Sequence, residues 1–279
     1  MRLADLRPGW RSEFMLHAYG GRALERDDCL VVLTPANPLY YWGNFLLPPR
    51  APRDDELAHW EQRFQEEIVA VHPGSAHRCY GVNAPPAGEH LPAWQAAGFE
   101  IQLTAVLAQQ PGGLKLPPRR ARGTVEFRDF DLALEIETLV AQHCADAQGF
   151  EPRAFETHRR QQMQRYAQMQ RDGLARWFGV WCDGVLAADC GLMREHAGPG
   201  ALGRFQHVGT HPQWRRRGLA TALVHRVAAW GWAQWQPSRL LMCADPEDVA
   251  IGIYESLGFE RIDDEWGLQR RAPQDLAAA

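Results

Sequence analysis

Residues Gln206–Leu223 read QHVGTHPQWRRRGLATAL, and this stretch decides the fold. Gln206 to Thr210 alternates in β-compatible residues, which predicts a strand. His211 and Pro212 end it. Arg215-Arg216-Arg217-Gly218-Leu219-Ala220 then turns into a helix whose apolar positions are Leu219, Leu223, Val227 and Trp230. Those steps place one apolar stripe on a 3.6-residue period. A loop of this kind at a helix start suits an anion. The first-turn N–H groups have no intrahelical partner, and the helix dipole adds partial positive charge. Gly218 lets a ligand approach the backbone closely, and small Ala220 keeps that approach open. The arginines can pair with phosphate oxygens, so a pyrophosphate is the natural guest.

About thirty-five residues on, Ala250–Phe259 reads AIGIYESLGF. The pattern Arg215-x-x-Gly218-x-Ala220 after a strand resembles the acetyl-CoA loop of the GNAT superfamily of N-acetyltransferases. The later segment resembles that family's A-x-x-L-Y-x-x-x-G-F motif. The resemblance covers about Thr124 to Arg271. It implies an α/β (α+β) domain, a mixed, mostly antiparallel sheet flanked by helices.

Working outward, the order of elements occurs twice. Trp94-Gln95-Ala96-Ala97-Gly98-Phe99-Glu100 aligns with Tyr254-Glu255-Ser256-Leu257-Gly258-Phe259-Glu260 at an offset of 160. Each predicts a short helix closed by glycine before a strand. Upstream of the first copy come strands at Cys29–Leu33 and Tyr40–Leu47, a helix carrying Leu57, Trp60, Phe64, Ile68 and Val71, and a strand at Arg78–Val82. Two GNAT-like domains in tandem are expected, 1–110 and 124–279, joined by a Pro/Gly-rich linker at 111–123. The linker's Arg119-Arg120-Ala121-Arg122 run reads as a solvated connection rather than a nucleic-acid signal. The first half has PPRAPRDDELA where the second has PQWRRRGLA. Prolines offer no N–H, the acidic cluster Asp54-Asp55-Glu56 repels phosphate, and Trp94 stands in the place of Tyr254. The first half is therefore expected to be degenerate.

In the second half, the pattern predicts a strand at Thr124–Arg128 and a helix with Leu132, Ile136, Leu139 and Val140 inward, broken at Gly149. A polar helix follows over Pro152–Arg171. A hairpin at Trp177–Met193 then turns on Asp183-Gly184, a strand runs Leu240–Cys243, and a last strand lies around Ile262–Gln269.

A chain of 279 residues with 46% hydrophobic content can build a sizeable core. Its net charge of −4 and scattered basic residues do not favour nucleic acid. The six cysteines show no C-x-x-C pair, which argues against a disulfide framework or a metal site and for a reduced, cytoplasmic protein. No signal segment and no membrane-spanning run is read in the sequence.

The resemblance implies acetyl-CoA as co-substrate, with no metal, held between two splayed strands, Gln206–Thr210 and Leu240–Cys243. The backbone at Val208, Gly209 and Thr210 would bind the pantetheine arm and polarise the thioester. Arg215, Arg216, Arg217, Gly218, Leu219, Ala220 and Thr221 would hold the pyrophosphate. Tyr254 matches the family's general acid for the departing thiolate. The base is open between water, as the default, and His207; Glu195 and Asp189 have no better claim, and Arg204 sits where a carboxylate base is often found. Glu247 replaces the asparagine that the family tends to carry seven residues before the tyrosine. The acceptor is a primary amine of a small molecule or a peptide, which the sequence does not name. The alternatives are a longer acyl-CoA or a non-catalytic acyl-CoA sensor. The chain is expected as a monomer or homodimer.

Overall fold

The computed structural model describes the chain except residues 18, 89, 146–149, 197, 199 and 277–279. The expected helix break at Gly149 lies outside the described residues. In chain order the elements begin with α1 (Pro8–His17), β1 (Arg22–Glu25), β2 (Leu30–Leu33), β3 (Phe45–Leu47), α2 (Leu57–Phe64), β4 (Arg78–Val82), α3 (Pro92–Ala96) and β5 (Glu100–Gln109). They continue with β6 (Glu126–Phe130), α4 (Leu132–Cys144), α5 (Pro152–Arg171), β7 (Ala175–Cys182), β8 (Val185–Arg194), β9 (Leu202–Thr210), α6 (Leu219–Gln234), β10 (Arg239–Ala244), α7 (Ala250–Ser256), β11 (Glu260–Arg270) and α8 (Pro273–Leu276).

These elements form two compact units. Unit 1 is Met1–Ala105, Gln148–His158 and Asp263–Ala279; unit 2 is Val106–Ala147 and Arg159–Ile262. The division differs from the linear one expected at residues 110 and 124. The cause lies in β11, which closes the second repeat in sequence but pairs antiparallel with β4, Trp266 opposite Val82 and Arg270 opposite Arg78. Conversely Val106–Gln109, the end of the first repeat's last strand, belong to unit 2. There Gln109 is fully buried and its amide donates to the Leu257 carbonyl at 2.9 Å. The linker is not free in solvent either. Lys115 N donates to Leu257 O and Arg122 N to Arg217 O, both at 3.0 Å within unit 2.

In unit 1 the strands run β1-β2-β3-β4-β11. All four residues of β2 are buried, because both faces of the sheet are covered. Val31 and Leu33 join Trp60, Phe64, Tyr80 and Trp94 on one side. Leu30 and Val32 join Trp10 and Phe14 of α1 on the other. Two elements here escape the periodicity reading. Helix α1 carries Gly9 in its first turn and buries Ser12 and His17 beside its apolar residues, so no clean stripe shows. The expected strand Tyr40–Leu47 begins instead as a 3₁₀ turn over Tyr41–Gly43. The helix from Leu57 continues through a π turn, Gln65–Val69.

In unit 2 the strands run β10-β9-β8-β7-β6. The β7–β8 turn has Asp183 and Gly184 at φ +52° and +76°, as a two-residue hairpin requires. Helix α6 buries Leu219, Leu223 and Val227 as its stripe demands, with Val224, Ala228 and Gly231 beside them.

The duplication is visible in the hydrogen bonds. Phe99 N donates to Trp94 O at 3.0 Å and Gly98 N to Gln95 O at 2.9 Å. At the offset of 160, Phe259 N donates to Tyr254 O at 3.2 Å and Gly258 N to Glu255 O at 3.0 Å. Both glycines are left-handed, φ +84° and +92°. Each repeat also joins a parallel strand pair through a helix, β3 with β4 across α2 and β9 with β10 across α6.

Candidate active site

The site starts where two parallel strands part. β9 and β10 pair only at Leu202–Arg239, Gly203–Leu240 and Arg204–Leu241. Beyond Arg204 the two strands continue without pairing, so Val208, Gly209 and Thr210 have no β10 partner, and the Thr210 carbonyl accepts from Arg215 Nε at 3.2 Å. Its residues pass from buried at Leu202–Phe205 to half-buried at Gln206–Thr210. Arg204, itself buried, crosses the fork and donates from Nη1 to the Cys243 Sγ at 3.2 Å.

The other edge of β9 carries a bulge. Gln206 faces Gly191 and Val208 faces Cys190, which leaves His207 as the extra residue, at φ +49°. A bulge re-aims the strand and is costly for a non-glycine residue at this φ. A buried side-chain network holds it. Asp189 is wholly buried and accepts from Gln142 Nε2 at 2.8 Å, Trp177 Nε1 at 2.9 Å and His143 Nε2 at 2.9 Å. His207 Nε2 lies 3.7 Å from its other side. Arg159 donates to Nδ1 of His143 at 2.6 Å and to Nδ1 of His207 at 3.3 Å.

Burial alone would raise the Asp189 pKa, but the imidazoles of His143 and His207 hold it well below the ordinary carboxylate range. Burial pushes the His143 imidazole down to about 3, against the pull of Asp189. His143, Asp189 and His207 present ligand-type atoms within 4.8 Å of one another. Those atoms already serve as donors and acceptors around a guanidinium that a cation would have to displace, so the set does not fit a metal.

Stability is expected to fall as pH drops below about 6.5, because His143 and His77 (pushed by burial to about 4) are neutral in the fold. The unfolded chain then binds protons that the folded one refuses. Each histidine contributes up to ~1.4 kcal/mol per pH unit until its folded pKa is reached. Urea unfolding at neutral and mildly acid pH checks this; coincident midpoints would mean that the two rings are not held neutral.

After Thr210 the chain turns through a 3₁₀ segment, Pro212–Trp214, with His211 Nδ1 accepting from Gln213 N at 3.3 Å. Arg216 and Gly218 are left-handed, φ +61° and +78°, and Gly218 caps α6. Ala222 N makes the first helical bond, to Gly218 O at 3.1 Å. The amides of Leu219, Ala220 and Thr221 come before it, in the first turn, where a helix supplies no intrahelical carbonyl partner. The face of Gly218 that a Cβ would occupy meets the linker, with Ala121 Cα and Arg120 O at 3.5 Å. Gly218 therefore serves the turn and the packing of the linker on the loop. Arg119, Arg120 and Arg122 are exposed in this linker, so its basic run belongs to the same face of unit 2 as Arg215–Arg217.

Tyr254 sits on α7, which packs on α6 and β10 and is capped by Asp248 Oδ1 accepting from Ala250 N at 2.8 Å. The tyrosine is buried, and burial followed by the nearby Cys190 thiol raises its pKa, so the phenol keeps its proton. Cys190 is the cross-strand partner of Val208 on the β8 side of β9. The fork, the loop and the phenol all belong to unit 2. Glu247 instead contributes to a local turn, its N–H donating to Asp245 Oδ1 at 2.9 Å.

The equivalent place in unit 1 is filled from within. Glu56 accepts from Arg50 Nη2 at 2.6 Å and from Arg53 N at 2.8 Å. The Arg50 bond is the chief cause of a Glu56 pKa lowered to about 2. Asp54 Oδ1 takes the Ala93 N–H at 2.7 Å, and Trp94 Nε1 donates to Arg53 O at 3.1 Å. The arginines and amides that could have met phosphate are bound to the chain's own carboxylates.

Residues 174–261 match the acetyltransferase (GNAT) domain family. An acetyltransferase of Pectobacterium atrosepticum is 38% identical over 64 residues, 23% of this chain and 45% of that relative, so less than half of the relative is spanned. Two solved structures share the fold. One is a conserved protein of unknown function from Staphylococcus epidermidis, with TM-score 0.75 and 13% identity over 91% of this chain and 95% of that one. The other is a GCN5-related N-acetyltransferase from Kribbella flavida, with TM-score 0.62 and 16% identity over 93% of each chain. Among the described residues no helix is long and apolar enough to cross a membrane. The fork, the loop before α6 and the helix of Tyr254 all lie inside residues 174–261, the stretch that matches the acetyltransferase (GNAT) domain.

Proposed function

We propose that unit 2 transfers the acetyl group of acetyl-CoA directly to a primary amine of a small molecule or peptide, at a single site per chain. The observation that carries this reading is the parting of β9 from β10 beyond Arg204, beside a loop that leads through Gly218 into the start of α6 with no side-chain cap. The amides of Leu219, Ala220 and Thr221, with Arg215–Arg217 nearby, bind pyrophosphate oxygens. The backbone at Val208–Thr210 holds the pantetheine arm and aims an N–H at the thioester oxygen, where negative charge develops.

The amine nitrogen attacks the thioester carbon, the C–S bond breaks, and Tyr254 gives its proton to the leaving sulfur. A solvent water takes the amine's proton. His207 is less suited to that task, because Nδ1 already accepts from Arg159 and Nε2 is turned toward Asp189. Its role is to hold the bulge that presents Val208.

Calorimetric titration with acetyl-CoA tests the reading, with one-to-one binding expected. Two sites per chain would refute the self-filled loop of unit 1, and no binding would refute the assignment. Tyr254→Phe preserves the buried ring and removes the acid. It is expected to lower kcat by about 10²–10⁴-fold, the usual span for general acid catalysis, with CoA affinity nearly unchanged. Steady-state rates for any accepted amine decide this; an unaltered kcat would remove the phenol from the mechanism.

A further inference from the structure

We infer that unit 1 contains a binding site for a compact organic ammonium ion. This is independent of acetyl transfer. The site is a cavity of about 190 Å³, larger than the ~150 Å³ of an apolar cavity that admits benzene. It is walled by rings. Tyr41 stacks on His77 with centroids 4.3 Å apart and meets Phe150 edge-on at 6.3 Å. Phe155 lies 5.5 Å from Phe150, and Tyr40 lies 5.1 Å from His158.

Among the described residues that line this cavity, the charged side chain is Asp275. Asp275 lines it and is buried, held by the Tyr41 hydroxyl and by Glu151 N at 3.1 Å. These contacts use one donor on each carboxylate oxygen and leave acceptor capacity on both. His77 is neutral, with Nε2 donating to Asn44 O at 3.1 Å and burial lowering its pKa to about 4. His158 Nδ1 faces the Asn37 amide nitrogen at 3.1 Å. No lysine or arginine is among the described residues that line the cavity. Arg271 lies over Phe150, 5.4 Å from its centroid, without lining it.

Aromatic faces carry negative quadrupole charge and attract cations, most strongly when the cation is desolvated. A neutral ligand would gain only from the apolar walls. A carboxylate ligand would meet Asp275 at close range. A compact ammonium ion satisfies both the rings and the carboxylate.

The test is calorimetry with choline and with 3,3-dimethyl-1-butanol, its neutral isostere, in the absence of CoA. Choline is expected to bind one-to-one and about tenfold or more tightly than the isostere. Asp275→Asn should lose most of that preference. Phe155→Leu, an apolar exchange at a half-buried position, should weaken choline several-fold while leaving the melting curve in place. Equal affinity for the isostere, or choline binding untouched in Phe155→Leu, would overturn the proposal, as would the absence of choline binding in wild-type protein.

Discussion

Gly218→Glu is expected to abolish CoA binding, with affinity falling at least about a hundredfold. Three effects act together. Position 218 has φ +78°, where a side chain costs about 1–2 kcal/mol. A Cβ would also lie 3.5 Å from Ala121 Cα and Arg120 O, and the longer side chain must push past this linker segment. The carboxylate would then sit at the start of α6, where it competes with phosphate for the same amides and arginines. At about 4 Å and an effective dielectric of about 20, one like-charge contact costs ~4 kcal/mol, close to a thousandfold in affinity. Gly218→Ala separates the terms, since it keeps the strain and omits the charge. It should bind about tenfold more weakly than wild type, the equivalent of the conformational cost alone. Calorimetry with CoA on both variants, with melting curves as a folding check, gives the answer. Wild-type affinity in Gly218→Glu would mean that phosphate does not visit this loop.

The outcome at Gly218 also shows what the sequence could convey. A left-handed glycine between a strand and a helix is a local requirement, and the sequence carries it openly. So are the apolar stripe of α6 and the glycine caps at Gly98 and Gly258, whose hydrogen bonds repeat at the offset of 160. The features that were not legible are all long-range. The bulge at His207 exists because Cys190 and Gly191 pair with residues on either side of it. The carboxylate beneath it pairs with a histidine 46 positions away. The placement of β11 against β4 separates the end of the second repeat from the rest of that repeat. Its periodicity would be the same in either unit, since strand pattern reports which face is buried and not which neighbour is paired. The arginine-rich linker looks solvated because each residue is polar. It docks on the phosphate-type loop through its backbone, which has no signature in composition.

Asp189→Ala is expected to destabilise the protein by about 3–5 kcal/mol, the range for breaking a buried charged network from one side. The carboxylate is the common acceptor for Gln142, Trp177 and His143. Its removal strands the buried donors of Trp177 and His143 and the half-buried Gln142 amide. With about 2–4 °C per kcal/mol for a chain of this size, the midpoint should fall by about 6–20 °C. Asp189→Asn should recover only part of this loss, because its amide places a donor where donors already converge. A double variant, Asp189→Leu with His143→Leu, should cost less than the sum of the single changes, since removing both partners leaves fewer unsatisfied groups. The functional consequence follows from the bulge. Without Asp189 the side-chain network beneath His207 loses its central acceptor, the extra residue can relax, and Val208 shifts along the cleft. Acetyl-CoA affinity should therefore drop in Asp189→Asn at temperatures where the fold is still intact, with the loss greater for acetyl-CoA than for dephospho-CoA's adenosine diphosphate portion alone. A variant as stable as wild type would show that the network is incidental. A destabilised variant with unchanged acetyl-CoA affinity would show that the bulge is held by its strand pairing and not by the side chains beneath it.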